Sequence, residues 1–175
     1  MKKIRLTVSF LFIILAVNQV HASRSIKVVA DLDHKKGKIG SYIALIIGIQ
    51  NYNDPMITDL DTPLNDARKM GQILQTKYGF KVELLLDSKA TRKAIYNAVR
   101  NLSAKAQPDD SVLIYYAGHG DLDRQYDDGW WIPVDATGGD PTTYLDNGLI
   151  QKAMRSMKAK HVLLISDSCY SGTLF

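Results

Sequence analysis

The run His161-Val-Leu-Leu-Ile-Ser-Asp-Ser-Cys169-Tyr-Ser-Gly-Thr-Leu-Phe175 contains the features that decide the predicted fold. Its apolar part, residues 162–165, predicts a buried strand, and Ser166-Asp167-Ser168 replaces the apolar side chains where a parallel strand leaves its sheet. Binding and catalytic sites of open α/β sheets lie at this carboxyl edge. The only cysteine of the chain, Cys169, therefore falls where chemistry is expected and is a candidate nucleophile.

A second apolar run, residues 112–117, ends in the same way in Gly118-His119-Gly120. If the two strands are neighbours, about 4.8 Å apart, His119 and Cys169 can pair as base and thiol. Glycine lets a backbone approach a ligand closely, and the Gly120 N–H is placed to donate to a developing oxyanion. Taken singly, a cysteine at a strand end is most often a small buried apolar residue, and His119 is a histidine in a glycine-rich turn.

The length and the N-terminus predict one exported domain. The chain has 175 residues, which suits a single core. A basic start, Met1–Arg5, is followed by the apolar run 6–17 and by Val20-His-Ala22, which has the pattern of a cleavage site, so residues 1–22 are predicted to be a signal peptide. The apolar run is short for a bilayer span of about 20 residues, which disfavours an uncleaved anchor. The predicted location is the periplasm or the exterior.

Charge gives no reason to expect nucleic-acid binding. Three of the 22 Lys and Arg residues lie in positions 1–22, which contain no acid, so the remaining chain has 19 basic against 18 acidic side chains. A single cysteine in an exported protein forms no internal disulfide, and is either a dimer bridge or a free, reactive thiol.

Apolar periodicity predicts a β-α-β-α-β unit and a further helix before the Cys169 strand. A β-α-β-α-β unit typically folds into a parallel sheet with right-handed connections and with helices on both faces. Residues 23–40 are expected to be a linker or an edge hairpin, and 121–129 a polar loop before a short strand or hairpin at 130–135. The predicted strands are 42–49, 82–86, 112–117 and 162–165; the predicted helices are 63–78 with Thr62 as N-cap, a helix capped by Thr91 that reaches about 106, and 147–158.

Two segments resemble the active-site signatures of the caspase-like cysteine peptidases, above all the metacaspase-type and bacterial members. They are Tyr115-Tyr-Ala-Gly-His-Gly120 and Asp167-Ser-Cys-Tyr-Ser-Gly172, with Leu64-Asn-Asp-Ala67 and Trp131-Ile-Pro-Val-Asp-Ala136 in the expected order. The resemblance covers about 42–175. It implies a caspase-like (caspase–hemoglobinase) α/β/α fold of three layers with a mostly parallel sheet.

The resemblance also implies roles for individual residues. Cys169 would attack a peptide carbonyl, His119 would handle the proton of the leaving amine, and the backbone N–H groups of Gly120 and Cys169 would hold the oxyanion. Asp66 and Asp167 would form an acidic P1 pocket. Two buried carboxylates facing one pocket need a cation between them, so cleavage after Arg or Lys is expected.

Other interpretations of these acids and of the polar loop stay open. Asp66 also suits the positive end of a helix dipole, and Asp167 a turn at a strand end. The loop acids could bind calcium, as in some metacaspases, but their spacing is not that of an EF-hand and a solvated acidic loop is favoured. No cofactor or metal is expected for the chemistry. The loop acids are Asp121, Asp123, Asp127 and Asp128.

A complete caspase-like domain continues beyond the nucleophile, whereas this sequence has six residues after Cys169. Domain 41–175 is therefore expected to lack its C-terminal part and to leave a strand edge open, which a second chain would complete. Two functions follow: a cysteine endopeptidase acting on peptide or protein substrates, or a non-catalytic caspase-like module that acts as an interaction or scaffolding domain through the open edge.

Overall fold

A computed structural model describes residues 39–126 and 128–169. The predicted signal peptide, the linker up to residue 38, Asp127 and residues 170–175 lie outside these ranges. None of the described helices combines the length and the apolar character needed to cross a bilayer. The elements are β1 (Tyr42–Gly48), α1 (Pro63–Tyr78), β2 (Lys81–Leu86), α2 (Arg92–Lys105), β3 (Ser111–Ala117), β4 (Gly120–Asp123), β5 (Asp128–Trp131), β6 (Leu145–Asp146), α3 (Asn147–Ser156) and β7 (His161–Asp167).

Four strands form a parallel sheet in the order β2-β1-β3-β7. The two central strands, β1 and β3, are apolar without alternation because both of their faces are covered. The predicted adjacency of the His119 and Cys169 strands is confirmed, since β3 pairs with β7 from Ser111–His161 to Ala117–Asp167. The prediction that the last strand ends before Ser166 is wrong, because its backbone ladder to β3 continues through Asp167.

Helices cover both faces of the sheet, which confirms the predicted three-layer α/β/α fold. On one face Ala44 and Ile46 pack with Ala67 and Leu74 of α1. On the other face lies the larger cluster, in which Leu45 and Ile47 contact apolar residues of α2 and α3. Neighbouring residues of a strand point to opposite faces, so each central strand contributes to both layers.

The helix ends agree with the sequence except in one detail. Thr91 caps α2 by accepting a hydrogen bond from the Ala94 N–H at 3.1 Å, and Gly79 ends α1 with a φ of 70°. Thr62 occupies the N-cap position of α1, but its side chain makes no capping hydrogen bond. Its backbone is near the helical region (φ −111°, ψ −24°) instead of the extended conformation in which a cap side chain reaches the first turn.

The predicted polar loop 121–129 is largely a β-hairpin. Strands β4 and β5 pair antiparallel from Gly120–Trp131 to Asp123–Asp128, and β6 joins them in a small second sheet. The loop prediction was wrong because backbone pairing, rather than an apolar pattern, defines these short strands. Trp131 attaches the small sheet to the core by stacking on Tyr116, with ring centroids 4.2 Å apart.

Candidate active site

The two signature segments meet at the carboxyl edge of the parallel sheet. Ala117 is paired with Asp167, so His119 and Cys169 each follow the last pair by two residues. The Gly118 N–H extends the contact by donating to the Asp167 carbonyl at 3.3 Å. A Cβ atom on Gly120 would lie 2.3 Å from the carbonyl oxygen of Cys169, so the backbones touch where only glycine fits.

The imidazole of His119 is oriented by a backbone carbonyl. Its Nε2 lies 2.7 Å from the carbonyl oxygen of Thr58, and the ring packs at 5.2 Å on the Tyr52 ring. A carbonyl oxygen can only accept, so Nε2 carries a proton in this contact. In the neutral ring Nδ1 then holds the free lone pair, which is the atom able to accept a proton.

Two tyrosine hydroxyls hold the backbone of His119. The His119 N–H donates to the Tyr52 oxygen at 2.8 Å, and the Tyr116 O–H donates to the His119 carbonyl at 2.6 Å. A Cβ on Gly118 would lie 2.9 Å from the Tyr116 hydroxyl and 3.1 Å from that of Tyr52, so glycine is required there as well.

Both tyrosines stay protonated over the ordinary pH range. Burial raises the pKa of Tyr52 to about 12, and burial raises the pKa of Tyr116 well above its ordinary value. Both hydroxyls therefore keep their protons, and their hydrogen bonds to the His119 backbone persist at any pH at which a peptidase would be assayed.

The carboxylates of Asp87 and Asp59 hold the loop that carries Tyr52 and Thr58. Asp87 accepts from the backbone N–H groups of Gln50 at 2.8 Å and Asn51 at 3.2 Å. Asp59 accepts from the N–H of Tyr52 at 2.9 Å. Because these bonds fix the loop backbone, the Thr58 carbonyl is a defined partner for His119 and not an incidental contact.

The backbone N–H of Gly120 is not directed at the hairpin partner strand. Ile132 donates to the His119 carbonyl at 3.1 Å, which makes these two residues a hydrogen-bonded position of the β4–β5 ladder. Hydrogen-bonded and non-bonded positions alternate in an antiparallel pair, so the N–H of the following residue, Gly120, points away from β5. That group is consequently not used by the hairpin ladder.

Asp66 and Asp167 both lie on the face of the sheet that α1 covers, near Tyr115. Asp66 is half-buried in the first turn of α1, Asp167 ends β7, and their charges both act on the Tyr115 hydroxyl. Burial raises the pKa of Tyr115, and the carboxylates of Asp167 and Asp66 raise it further. The prediction of two buried carboxylates was wrong, because Asp167 is exposed and Asp66 only half-buried at this open rim of the sheet.

The thiol of Cys169 is exposed. In the described ranges no group of three or more His, Cys, Asp or Glu side chains is arranged to hold a metal ion. Of the four loop acids, Asp121 and Asp123 accept hydrogen bonds from nearby backbone N–H groups, Asp128 faces Asp146 and Asp127 is not described. Burial raises the pKa of Asp128, and the Asp146 carboxylate raises it further. The calcium interpretation stays a prediction.

Sequence reasoning missed three residues that position His119. Thr58 acts through its carbonyl, which every residue type offers, so no sequence signal could have revealed it. Tyr52 and Tyr116 flank an apolar strand end, where an aromatic residue is most often packing. Only the folded positions of their hydroxyls around Gly118 reveal the hydrogen-bonding role.

The fold and this edge define a class: an α/β/α protein with a thiol and an imidazole at the carboxyl ends of neighbouring parallel strands. A profile of the caspase domain matches residues 41–174. The chain belongs to the caspase domain family, a family of cysteine peptidases.

Individual relatives agree with this membership. Metacaspase-1 of Schizosaccharomyces pombe is 31% identical over 157 residues, with 76% of this chain and 34% of that protein covered. Metacaspase-1 of Pyricularia oryzae is 33% identical over 152 residues, covering 77% and 37%. The crystal structure of protein GSU0716 from Geobacter sulfurreducens matches with a TM-score of 0.62 and 26% identity, covering 74% of this chain and 50% of that chain. The chain thus spans about a third of the length of these metacaspases.

Proposed function

We propose that the chain carries a cysteine endopeptidase site in which Cys169 is the nucleophile and His119 the general acid and base. The observation that carries the proposal is the strand register, which puts these two residues at the same level of one sheet edge. Parallel-sheet enzymes use this edge for chemistry, and a thiol beside an imidazole is an arrangement suited to acyl transfer.

Each step of the reaction has a group to perform it. Nδ1 of His119 accepts the thiol proton while the sulfur forms a bond to the peptide carbonyl carbon. The N–H groups of Gly120 and Cys169 donate to the resulting oxyanion. His119 then gives the proton to the leaving amine as the C–N bond breaks, and water hydrolyses the thioester with His119 as base.

The same site is proposed to accept Arg or Lys at P1. Asp66 and Asp167 bring two negative charges to the α1 face, and no basic side chain lies between Asn51 and Leu64 to neutralise them. A substrate cation placed there would be attracted by both carboxylates, whereas an acidic P1 residue would be repelled. Tyr115 offers a neutral hydroxyl between the two acids.

The first test is covalent labelling of the full chain by two peptide probes that differ only in Arg or Asp at P1. Labelling of Cys169 by the Arg probe alone is expected, with Cys169→Ala as the blank and a loss of about a thousandfold in rate for His119→Ala. An unlabelled but folded chain would refute the peptidase proposal.

The P1 pocket needs a separate test. Asp66→Asn and Asp167→Asn each keep the shape of the side chain and remove its charge, so labelling by the Arg probe is expected to slow about tenfold or more. Asp61→Asn is the matched control, because Asp61 is an exposed acid ahead of α1. Unchanged Arg selectivity in both pocket variants would overturn the specificity while leaving the dyad intact.

A second function, a non-catalytic interaction module, is favoured by one feature of the sheet. Strand β7 pairs only with β3 among the described strands, and Leu163 in it is 53% exposed. An edge strand with an exposed apolar side chain is a surface on which a second chain could add a strand. Binding of a partner by a Cys169→Ala chain, without hydrolysis by the unmodified chain, would decide for the module.

We also propose that the chain is exported. Residues 1–22 are proposed to direct the chain out of the cytoplasm and to be removed after Ala22. N-terminal sequencing of the protein recovered from the periplasm or the medium would test it, and an intact Met1 on a cytoplasmic product would contradict it.

A further inference from the structure

The layer formed by α2 and α3 is basic, and neither helix contains an acidic residue. Both helices and the segment 157–160 that follows α3 contain no Asp or Glu. Their cationic side chains are all exposed, and none forms an ion pair within the described part of the chain. They are Arg92, Lys93, Arg100, Lys105, Lys152, Arg155, Lys158 and Lys160. The net charge of the chain after residues 1–22 is close to zero, but this one face is strongly positive.

A groove of about 500 Å³ runs between the two helices on this face. Its apolar lining includes Leu149 and Ala153, and its cations are Arg100 and Lys152. No acid lines it. The groove is therefore an apolar surface flanked by positive charge.

Arg100 is held at the groove rather than free in solvent. Its guanidinium donates to the Tyr96 hydroxyl at 3.0 Å and lies 5.6 Å from the centre of the Tyr96 ring. A side chain held in this way loses less conformational freedom when it binds an anion. Tyr96 also borders a second depression, whose other lining residues are Arg92, Lys93 and Asp135. The Asp135 carboxylate accepts a hydrogen bond from the Arg92 backbone N–H at 2.7 Å, so the positive charge of α2 is partly offset at that end and is uncompensated at the groove.

We propose that this α2–α3 groove binds an acidic peptide segment of a partner protein. An apolar side chain of that segment would lie on Leu149 and Ala153, with carboxylates on either side facing Arg100 and Lys152. The shape favours a peptide over a membrane surface or a nucleic acid, because a concave apolar site accommodates a protruding side chain and contributes nothing to binding a flat charged surface.

The groove would work alongside the candidate active site without overlapping it. Asp66 and Asp167 lie on the α1 face of the sheet, whereas α2 and α3 cover the opposite face. The acidic P1 region would repel an acidic peptide, so the groove and the P1 region favour peptides of opposite charge. The proposal stands independently of peptidase activity, since neither Cys169 nor His119 takes part in it.

The test is fluorescence anisotropy with the full chain in the Cys169→Ala form, which prevents turnover. The probe is a labelled peptide Glu-Glu-Leu-Glu-Glu, compared with Gln-Gln-Leu-Gln-Gln and Glu-Glu-Ala-Glu-Glu. Arg100→Gln/Lys152→Gln neutralises the groove. Lys105→Gln/Lys158→Gln is the matched control, because it removes the same charge from exposed positions that do not line the groove.

Saturable binding of the acidic leucine peptide is expected, with about tenfold weaker affinity in the groove variant and less than about twofold in the control variant. The glutamine peptide should not bind, and the alanine peptide should bind more weakly. Equal losses in both variants would overturn the proposal, as would binding only to vesicles of equal parts phosphatidylglycerol and phosphatidylcholine or only to oligothymidylate. Thermal unfolding of each variant verifies that the fold is kept.

Discussion

The hydroxyl oxygen of Tyr52 accepts a hydrogen bond from the backbone N–H of His119 at 2.8 Å, across 67 residues of sequence. The Tyr116 hydroxyl holds the carbonyl of the same residue. The position of the imidazole therefore depends on a loop that follows β1, not on the glycine-rich turn alone. Since that loop also supplies the Thr58 carbonyl, one segment sets both the placement and the tautomer of His119.

Tyr52→Phe is expected to lower turnover and leave substrate binding largely unchanged. The variant keeps the ring that packs on His119 but leaves the His119 N–H without a partner, which costs about 1–3 kcal/mol if the site stays closed to water. Because His119 is displaced and the P1 region is not, kcat should fall about tenfold while KM changes little. Steady-state kinetics with an Arg substrate measures both.

The control for this variant is Tyr126→Phe, since Tyr126 is 74% exposed on the hairpin. It removes the same atom from a side chain that has no contact with His119. A readout that needs no hydrolysis is the pH dependence of Cys169 alkylation, which Tyr52→Phe should shift toward the profile of His119→Ala. An unchanged profile would show that Tyr52 does not position the base.

Gly120→Ala is expected to separate the two signature segments. Its Cβ would lie 2.3 Å from the Cys169 carbonyl oxygen, and backbone must move to relieve that contact. Loss of more than about 90% of Cys169 labelling is expected, because displacement of about 1 Å at a reacting group costs about a hundredfold in rate.

Gly79→Ala serves as the comparison for Gly120→Ala. Gly79 has a φ of 70° but nothing within 4 Å of the added Cβ, so the cost is about 1 kcal/mol of stability from backbone conformation. Cys169 labelling should stay at the level of the unsubstituted chain. Normal labelling in Gly120→Ala would mean that the close backbone contact is not needed for the site.

The sheet and the adjacency of the strands that lead to His119 and Cys169 could be predicted from the sequence. Short apolar runs without alternation are typical of buried parallel strands, and such strands bring their carboxyl ends to one edge. The helix end at Gly79 and the cap at Thr91 follow from local chemistry that needs no tertiary information.

The surroundings of His119 could not be predicted in the same way. Thr58 contributes a backbone atom, so its side chain is uninformative. The Tyr52 and Tyr116 hydroxyls both lie next to Gly118 only because the loop that carries Tyr52 folds back over this glycine. Burial of Asp167 depends on what covers the α1 face of β7, and residue patterns within the strand contain no information about that covering.

Trp131→Phe is expected to change stability little despite the complete burial of Trp131. Its indole N–H has no hydrogen-bond partner among the described residues, and an unpaired buried donor costs about 1–3 kcal/mol. Removal of this unpaired donor offsets much of the stability that is lost with the larger ring. The free energy of unfolding should therefore change by less than about 1 kcal/mol. Trp131→Ala should cost about 3–5 kcal/mol. Urea unfolding measures this free energy for both variants. Equal losses in Trp131→Phe and Trp131→Ala would contradict the prediction.

Asp110→Asn is expected to weaken the fold in a pH-dependent way. The Asp110 carboxylate accepts hydrogen bonds from the backbone N–H groups of Gln107 and Ser41, each at 2.8 Å, and these bonds lower its pKa below the ordinary 3.8. Ser41 precedes β1 and Asp110 precedes β3, so the contact fixes the starts of two central strands.

The sign of the pH effect follows from the lowered pKa of Asp110. The unfolded chain binds the proton more tightly, so the carboxylate stabilises the fold above its ordinary pKa, and this contribution is lost as the pH falls through the lower folded value. Thermal unfolding should therefore show the largest gap between Asp110→Asn and the unsubstituted chain at neutral pH, closing below pH 3.8. Asp109→Asn, at an exposed neighbouring acid, should show no such closing gap. A gap that is constant with pH would mean that the charge of Asp110 contributes nothing to folding.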